Sequence, residues 1–246
     1  SDRPYDPASN PDYARLTDLI KPPGPVPGPL TSDLRFGFSM LRCLIKTGAS
    51  TLRRAALLGQ YRFPQGIYYG GTAPQKETQV LMDLCRRHIG EYQHTVLLDM
   101  HSGYGPRYQM SVVNSALESR DSATLAAQFD YPQVVKTNPD EFYAIRGDMI
   151  DWVYQLARHE FPERRLYAAS FEFGTLGESL LAAVRSLRAM ILENQMYWYG
   201  AHERAAVRVR HKFRELFVPG AARWRLKAVA DAHQAFQGIL RAEGFI

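Results

Sequence analysis

Two short apolar runs, each ending on a chemically active residue, constrain this chain more than any other feature. Thr95 to Met100 (T-V-L-L-D-M) is short and aliphatic, as a buried strand is, and leads straight into His101-Ser102-Gly103. Leu166 to Phe173 reads as a second strand, with Glu172 set between two phenylalanines and Gly174-Thr175 following. Helical patterns stand between and after these runs, so the expected fold is α/β: a three-layer α/β/α arrangement with a mostly parallel or mixed central sheet and C-terminal helices. Open α/β sheets bind ligands in the crevice beyond the carboxyl ends of their strands. His101 and Glu172 are therefore expected to share one crevice. A carboxylate among aromatic and small residues is costly unless it is paired, directed at a metal or catalytic. A histidine and a glutamate on two strand ends point to metal-assisted hydrolysis, against the plainer reading of a structural glutamate paired with an arginine.

The two strand-end phrases, Asp99-Met100-His101-Ser102-Gly103 and Phe171-Glu172-Phe173-Gly174-Thr175, resemble motifs of the zinc carboxypeptidase superfamily, in particular a bacterial branch of unassigned substrate. Gly59-Gln60-Tyr61, Gly66-Ile67-Tyr68-Tyr69-Gly70-Gly71 and Glu193-Asn194-Gln195 match in the same order, so the resemblance covers nearly the whole chain as a single α/β domain, 1–246. It implies a zinc-dependent hydrolase of carboxypeptidase type acting on a peptide or amide bond. His101 would be the third zinc ligand and Glu172 the general base for a metal-bound water. The superfamily takes its first two ligands from an H-x-x-E upstream of the third, and its substrate-gripping Asn-Arg pair also lies upstream. Tyr5 to Leu16 resembles a segment placed after that motif. The chain is thus expected to correspond to the later part of such a domain, either hydrolytic or a non-catalytic remnant acting as a binding module.

One H-x-x-E is present, His88-Ile89-Gly90-Glu91, but it closes the helical pattern that precedes the Thr95 strand. A helix feeding a strand delivers its end to the strand's start, and six strand residues then separate it from His101 by about 20 Å. Zinc–ligand bonds are about 2 Å long, so His88 and His101 are not expected to share a metal. His94 and His159 lie at or before strand starts and fail the same test.

Arg107, in the turn-rich exit after His101, is the candidate for the anion contact that the upstream pair normally makes. Tyr143 and Arg146, in the loop before a helix from Met149 to Glu160, are further substrate-binding candidates, and Asp148 is a candidate N-cap. Asp99 shares a strand face with His101 one pleat deeper, where it either orients the histidine or satisfies buried backbone. Gln60 to Gly71 is either a packed surface loop or a wall of the substrate pocket. Glu193 reads as structural.

Composition excludes several classes. The 246 residues suffice for one sizeable core, and 46% hydrophobic with 22% charged content is that of a globular protein. No apolar run reaches membrane-spanning length, so no membrane partner is expected. Cys43 and Cys85 sit in helical apolar patterns and read as buried free thiols of a reducing, cytoplasmic compartment. The net charge of +5 owes much to Arg204, Arg208, Arg210, Lys212 and Arg214, followed by Arg223, Arg225 and Lys227. Without a nucleic-acid motif or aromatic platform this is read as a solvated helix face, an anionic-substrate contact or an intersubunit contact, not as nucleic-acid binding. Association with further copies of the chain is the remaining partner expectation. No G-x-S-x-G, phosphate-binding loop or dinucleotide fingerprint occurs.

Along the chain, the first thirty residues read as loop, ending in the extended connector from Lys21 to Pro29. Helices are expected from Thr31 through Ile45, ended by Gly48-Ala49-Ser50, then a second short one to about Leu58, from Glu77, from Ser122 to Gln128, and then as a C-terminal series from Leu180, Ala201 and Arg223. Gln109 to Asn114 reads as one more strand.

Overall fold

The computed structural model describes residues 5–137 and 148–246. The chain forms two compact units, each drawn from separated stretches: Ser1–Gln75 with Ser179–Leu216, and Lys76–Glu178 with Phe217–Ile246.

The second unit contains the α/β layers. Helix α3 (Lys76–Glu91) leads into strand β1 (His94–Gly103), followed by β2 (Met110–Asn114), α4 (Ser122–Phe129), β3 (Val134–Lys136), α5 (Met149–Glu160), β4 (Arg165–Gly174) and, after the first unit's helices, α8 (Ala222–Ala242). The sheet order is β1-β4-β2-β3. β1 runs parallel to β4 and β2 parallel to β3, while β2 and β4 are antiparallel, so the sheet is mixed.

Strand alternation assigns the two faces. Val96, Leu98, Tyr167, Ala169 and Phe171 join Met110, Val112, Leu125, Phe129, Ala235 and Ile239 in a core beneath α4 and α8. Leu97, Leu166 and Ala168 turn the other way, onto Cys85, Ile89, Ile150, Val153 and Ala157 of α3 and α5. This is the expected three-layer arrangement. Helix ends are set by short polar side chains: Asp121 accepts from the Thr124 amide before α4, and Asp148 from the Asp151 amide before α5. Where α8 crosses α4, a Cβ on Gly238 would stand 1.8 Å from the Phe129 carbonyl oxygen, so only glycine allows the approach.

The first unit is helical. It holds α1 (Thr17–Ile20), α2 (Pro29–Leu57), α6 (Leu180–Tyr199) and α7 (Glu203–Phe217), the last apart from Phe217. Gly48 leaves helical geometry inside α2, as its sequence context predicts. The expectation of loop before residue 30 is corrected: Tyr13–Leu16 forms a 3-10 turn running into α1. Tyr13, Leu16, Leu19 and Ile20 recur at helical spacing and are buried with Met40, Cys43, Leu187 and Ile191, which gives these turns tertiary support. Gln60 organises the loop around it, donating to the Phe63 carbonyl at 2.8 Å and accepting from the Arg62 and Phe63 amides. Both cysteines are free and buried. Among the described residues no helix is long and apolar enough to cross a membrane.

Candidate active site

Register brings the two strand ends together. Across the parallel β1–β4 pair, His101 stands opposite Glu172 and Asp99 opposite Ser170. Since Leu97 and Ala168 face α3 and α5, alternation places Asp99, His101 and Glu172 on that same face, at the carboxyl end of both strands. Ser111 of β2 pairs with Glu172 from the other side. Backbone contact shapes the rim: a Cβ on Gly174 would lie 2.0 Å from the Pro106 carbonyl oxygen, so the turn after β1 rests directly on the end of β4. Trp224 Nε1 donates to the Gly174 carbonyl at 2.7 Å and fixes that end.

The side chains follow this placement. His101 Nε2 lies 2.5 Å from Asp99 Oδ2, and its Nδ1 lies 3.6 Å from Glu172 Oε1. An ionised carboxylate only accepts, so Nε2–H donates to Asp99 and the ring orientation is set by that bond. His101 is half exposed, with 50% of its side chain accessible, whereas the Glu172 side chain is 10% accessible. Burial raises the Glu172 carboxyl to about 7; the His101 ring opposes the rise and the Asp99 charge adds to it. The group is thus poised to exchange a proton near neutrality. Asp148 at the head of α5 is also raised, by burial first; its bonds to the Asp151 and Ile150 amides oppose this, and the charges of Asp151 and Asp99 add to it.

The sequence placed His101, Glu172 and Asp99 here. It read Asp148 as a helix cap only and did not anticipate that the Asp99 charge would reach it. Arg107 sits in the turn after β1, its guanidinium 4.8 Å above the ring of Tyr108. Tyr143 and Arg146 lie outside the described residues. His88 makes an exposed pair with Glu91 at 3.7 Å, at the far end of β1 from His101. At that far end the sequence also gave no sign of a second polar cluster. There Arg120 bridges Glu118 and Glu243, His94 lies 3.2 Å from Glu243, and Tyr154 donates to Glu118 beside a cavity of about 330 Å³. Its members come from distant segments, which no local pattern connects.

A zinc site of carboxypeptidase type needs three protein donors. Among the described residues no group of three or more His, Cys, Asp or Glu side chains is placed to hold a metal ion. Both ring nitrogens of His101 face carboxylates. The described donors therefore do not fit a complete zinc centre; among the described residues this face offers the histidine and its two carboxylates.

Fold and site together define a three-layer α/β protein with a histidine–carboxylate cluster at the carboxyl ends of adjacent parallel strands. The chain belongs to the family described as "Protein of unknown function (DUF2817)", which it matches over residues 2–231. No curated protein and no solved structure matches it.

Proposed function

We propose that this chain carries the acid–base centre of a hydrolase of carboxypeptidase type, cleaving a peptide or amide bond in a small substrate, with Glu172 as general base. The observation that carries the reading is the pairing of His101 with Glu172 across β1 and β4 at the ligand-binding end of the sheet. Glu172 takes a proton from water as it attacks the carbonyl and returns it to the leaving amine, a double role suited to a group poised near neutrality. His101, oriented by Asp99, holds its Nδ1 toward Glu172, where it can accept a hydrogen bond from the attacking water and keep it beside the base. A zinc ion ligated by His101 would need two further donors from outside the described residues. A cytoplasmic setting belongs to the same proposal, supported by two buried free thiols; fractionation of the producing cells checks it.

Amine release from a panel of N-acyl dipeptides and simple amides, with and without added zinc, tests the activity. Glu172→Gln is expected to lower the rate by roughly 10²–10⁴-fold while the circular dichroism spectrum is unchanged. Equal rates in wild type and variant would remove the general-base assignment. The donor count favours one second reading, a module that binds such substrates without cleaving them. Calorimetric binding with no amine release would select it.

A further inference from the structure

The basic run late in the chain has no part in the His101–Glu172 site, and the structure divides it. Arg204, Arg210 and Arg214 of α7 are exposed, as a solvated face would be. Arg208 and Lys212, one turn apart, are only partly exposed. Asp33 of α2 pairs with Arg208 at 3.0 Å and with Arg188 of α6. Arg185, one turn before Arg188 on α6, is exposed. Burial depresses the Lys212 ammonium, the charges of Arg188 and Arg208 depress it further, Asp33 opposes them, and Arg185 adds a last depressing contribution. Asp33 thus pairs with Arg188 and Arg208, and helical spacing sets Arg185 and Lys212 one turn from them.

The two paired arginines are held by the packing around them. Leu192, Ala205 and Val209, with Met196 beside them, pack α6 against α7. Phe36 lies under the Arg188 guanidinium at 5.6 Å. The Arg188 side chain is 16% accessible, and its Nε is buried with no hydrogen-bond partner among the described residues. Like charges on neighbouring turns repel, and one Asp33 carboxylate serves both Arg188 and Arg208. Guanidinium groups present planar paired donors that match the oxygens of a phosphoryl group, and an ammonium adds a point charge.

We infer that Arg188, Arg208 and Lys212, with Asp33 bracketing the two arginines and Arg185 at the exposed rim, form a binding site for a small phosphoryl-type oxyanion of charge two or more.

Calorimetric titration of the full chain at low salt with inorganic phosphate and with pyrophosphate tests this. Both are expected to bind, pyrophosphate more tightly. Arg185→Gln and Lys212→Met leave the two Asp33 pairs in place, so the fold is retained, and each is expected to weaken pyrophosphate binding by about tenfold. Arg204→Gln and Arg210→Gln, on the exposed face, are expected to change it less than about twofold. Co-sedimentation with phosphatidic acid vesicles but not phosphatidylcholine vesicles, competed by pyrophosphate, would identify the phosphoryl group as a lipid headgroup; no co-sedimentation identifies a free phosphate ester. The inference is overturned if wild type gives neither heat nor a thermal shift at millimolar pyrophosphate. It is equally overturned if the exposed-face variants lose as much affinity as the cluster variants, or if single-stranded RNA binds more tightly than pyrophosphate.

Discussion

Glu172 and Glu118 lie at opposite ends of the same sheet and are shifted in opposite directions by their surroundings. Glu172 is raised from 4.5 to about 7, chiefly by burial. Between those values the folded state holds more proton than the unfolded state, so stability falls as pH rises through the window and is level above it. Glu172→Gln removes this dependence and is expected to exceed wild type in stability above pH 7 by on the order of 1–3 kcal/mol, read from urea midpoints across pH. Matching profiles for the two proteins would show that the carboxyl is not raised. Burial would raise Glu118 too, but Arg120 through its side chain and amide, together with the Tyr154 hydroxyl, outweighs it and holds the group at about 2. Its stabilisation is complete above 4.5 and is lost as pH falls towards 2. Glu118→Gln should cost about 1–3 kcal/mol at neutral pH, with the deficit closing in acid. His101 and Glu172 were legible because each ends an apolar run, and Asp99 because strand side chains repeat every second residue. Glu118 and Glu243 were not, because nothing local marks two carboxylates that share one arginine across the fold.

Most elements show the hydrophobic period that announced them, but their crossings depend on single residues. At the α8–α4 crossing, Gly238→Ala would place a methyl group 1.8 Å from the Phe129 carbonyl oxygen. The helices must separate, and the expected loss is about 1–3 kcal/mol, seen as a lower melting temperature. An unchanged melting temperature would mean that the crossing is looser than its geometry indicates. At the head of α5, Asp148→Ala removes the bond to the Asp151 amide, 3.0 Å long, and should cost about 1 kcal/mol, while Asp148→Asn retains the cap. Thermal unfolding of the three proteins separates these outcomes. That cap was readable from Asp148 preceding a periodic helix. The three-residue β3 was not, since Val134–Lys136 is too short to show alternation and is a strand only because β2 pairs with it.

At the scale of the whole molecule, β1 is an edge strand: β4 pairs with one side, and among the described residues nothing pairs with the other. Met100 is 57% exposed there. A ten-residue unpaired edge favours association with other chains, so light scattering is expected to show mass rising with concentration, and Met100→Lys should reduce it. A monodisperse monomer at all concentrations would overturn the expectation. The residues alone determined that the chain would alternate helices with buried strands, and that a histidine and a glutamate would stand at two strand ends, because period and local composition report which face of an element is buried. Tertiary structure alone decided that the sheet is mixed, that His101 stands in register with Glu172, and that Asp148 lies close enough to feel the Asp99 charge. It also decided that part of a basic helix run turns inward on Asp33. Each of these depends on which strand pairs with which, or on how two helices pack, and such choices are made by contacts between residues far apart in the chain.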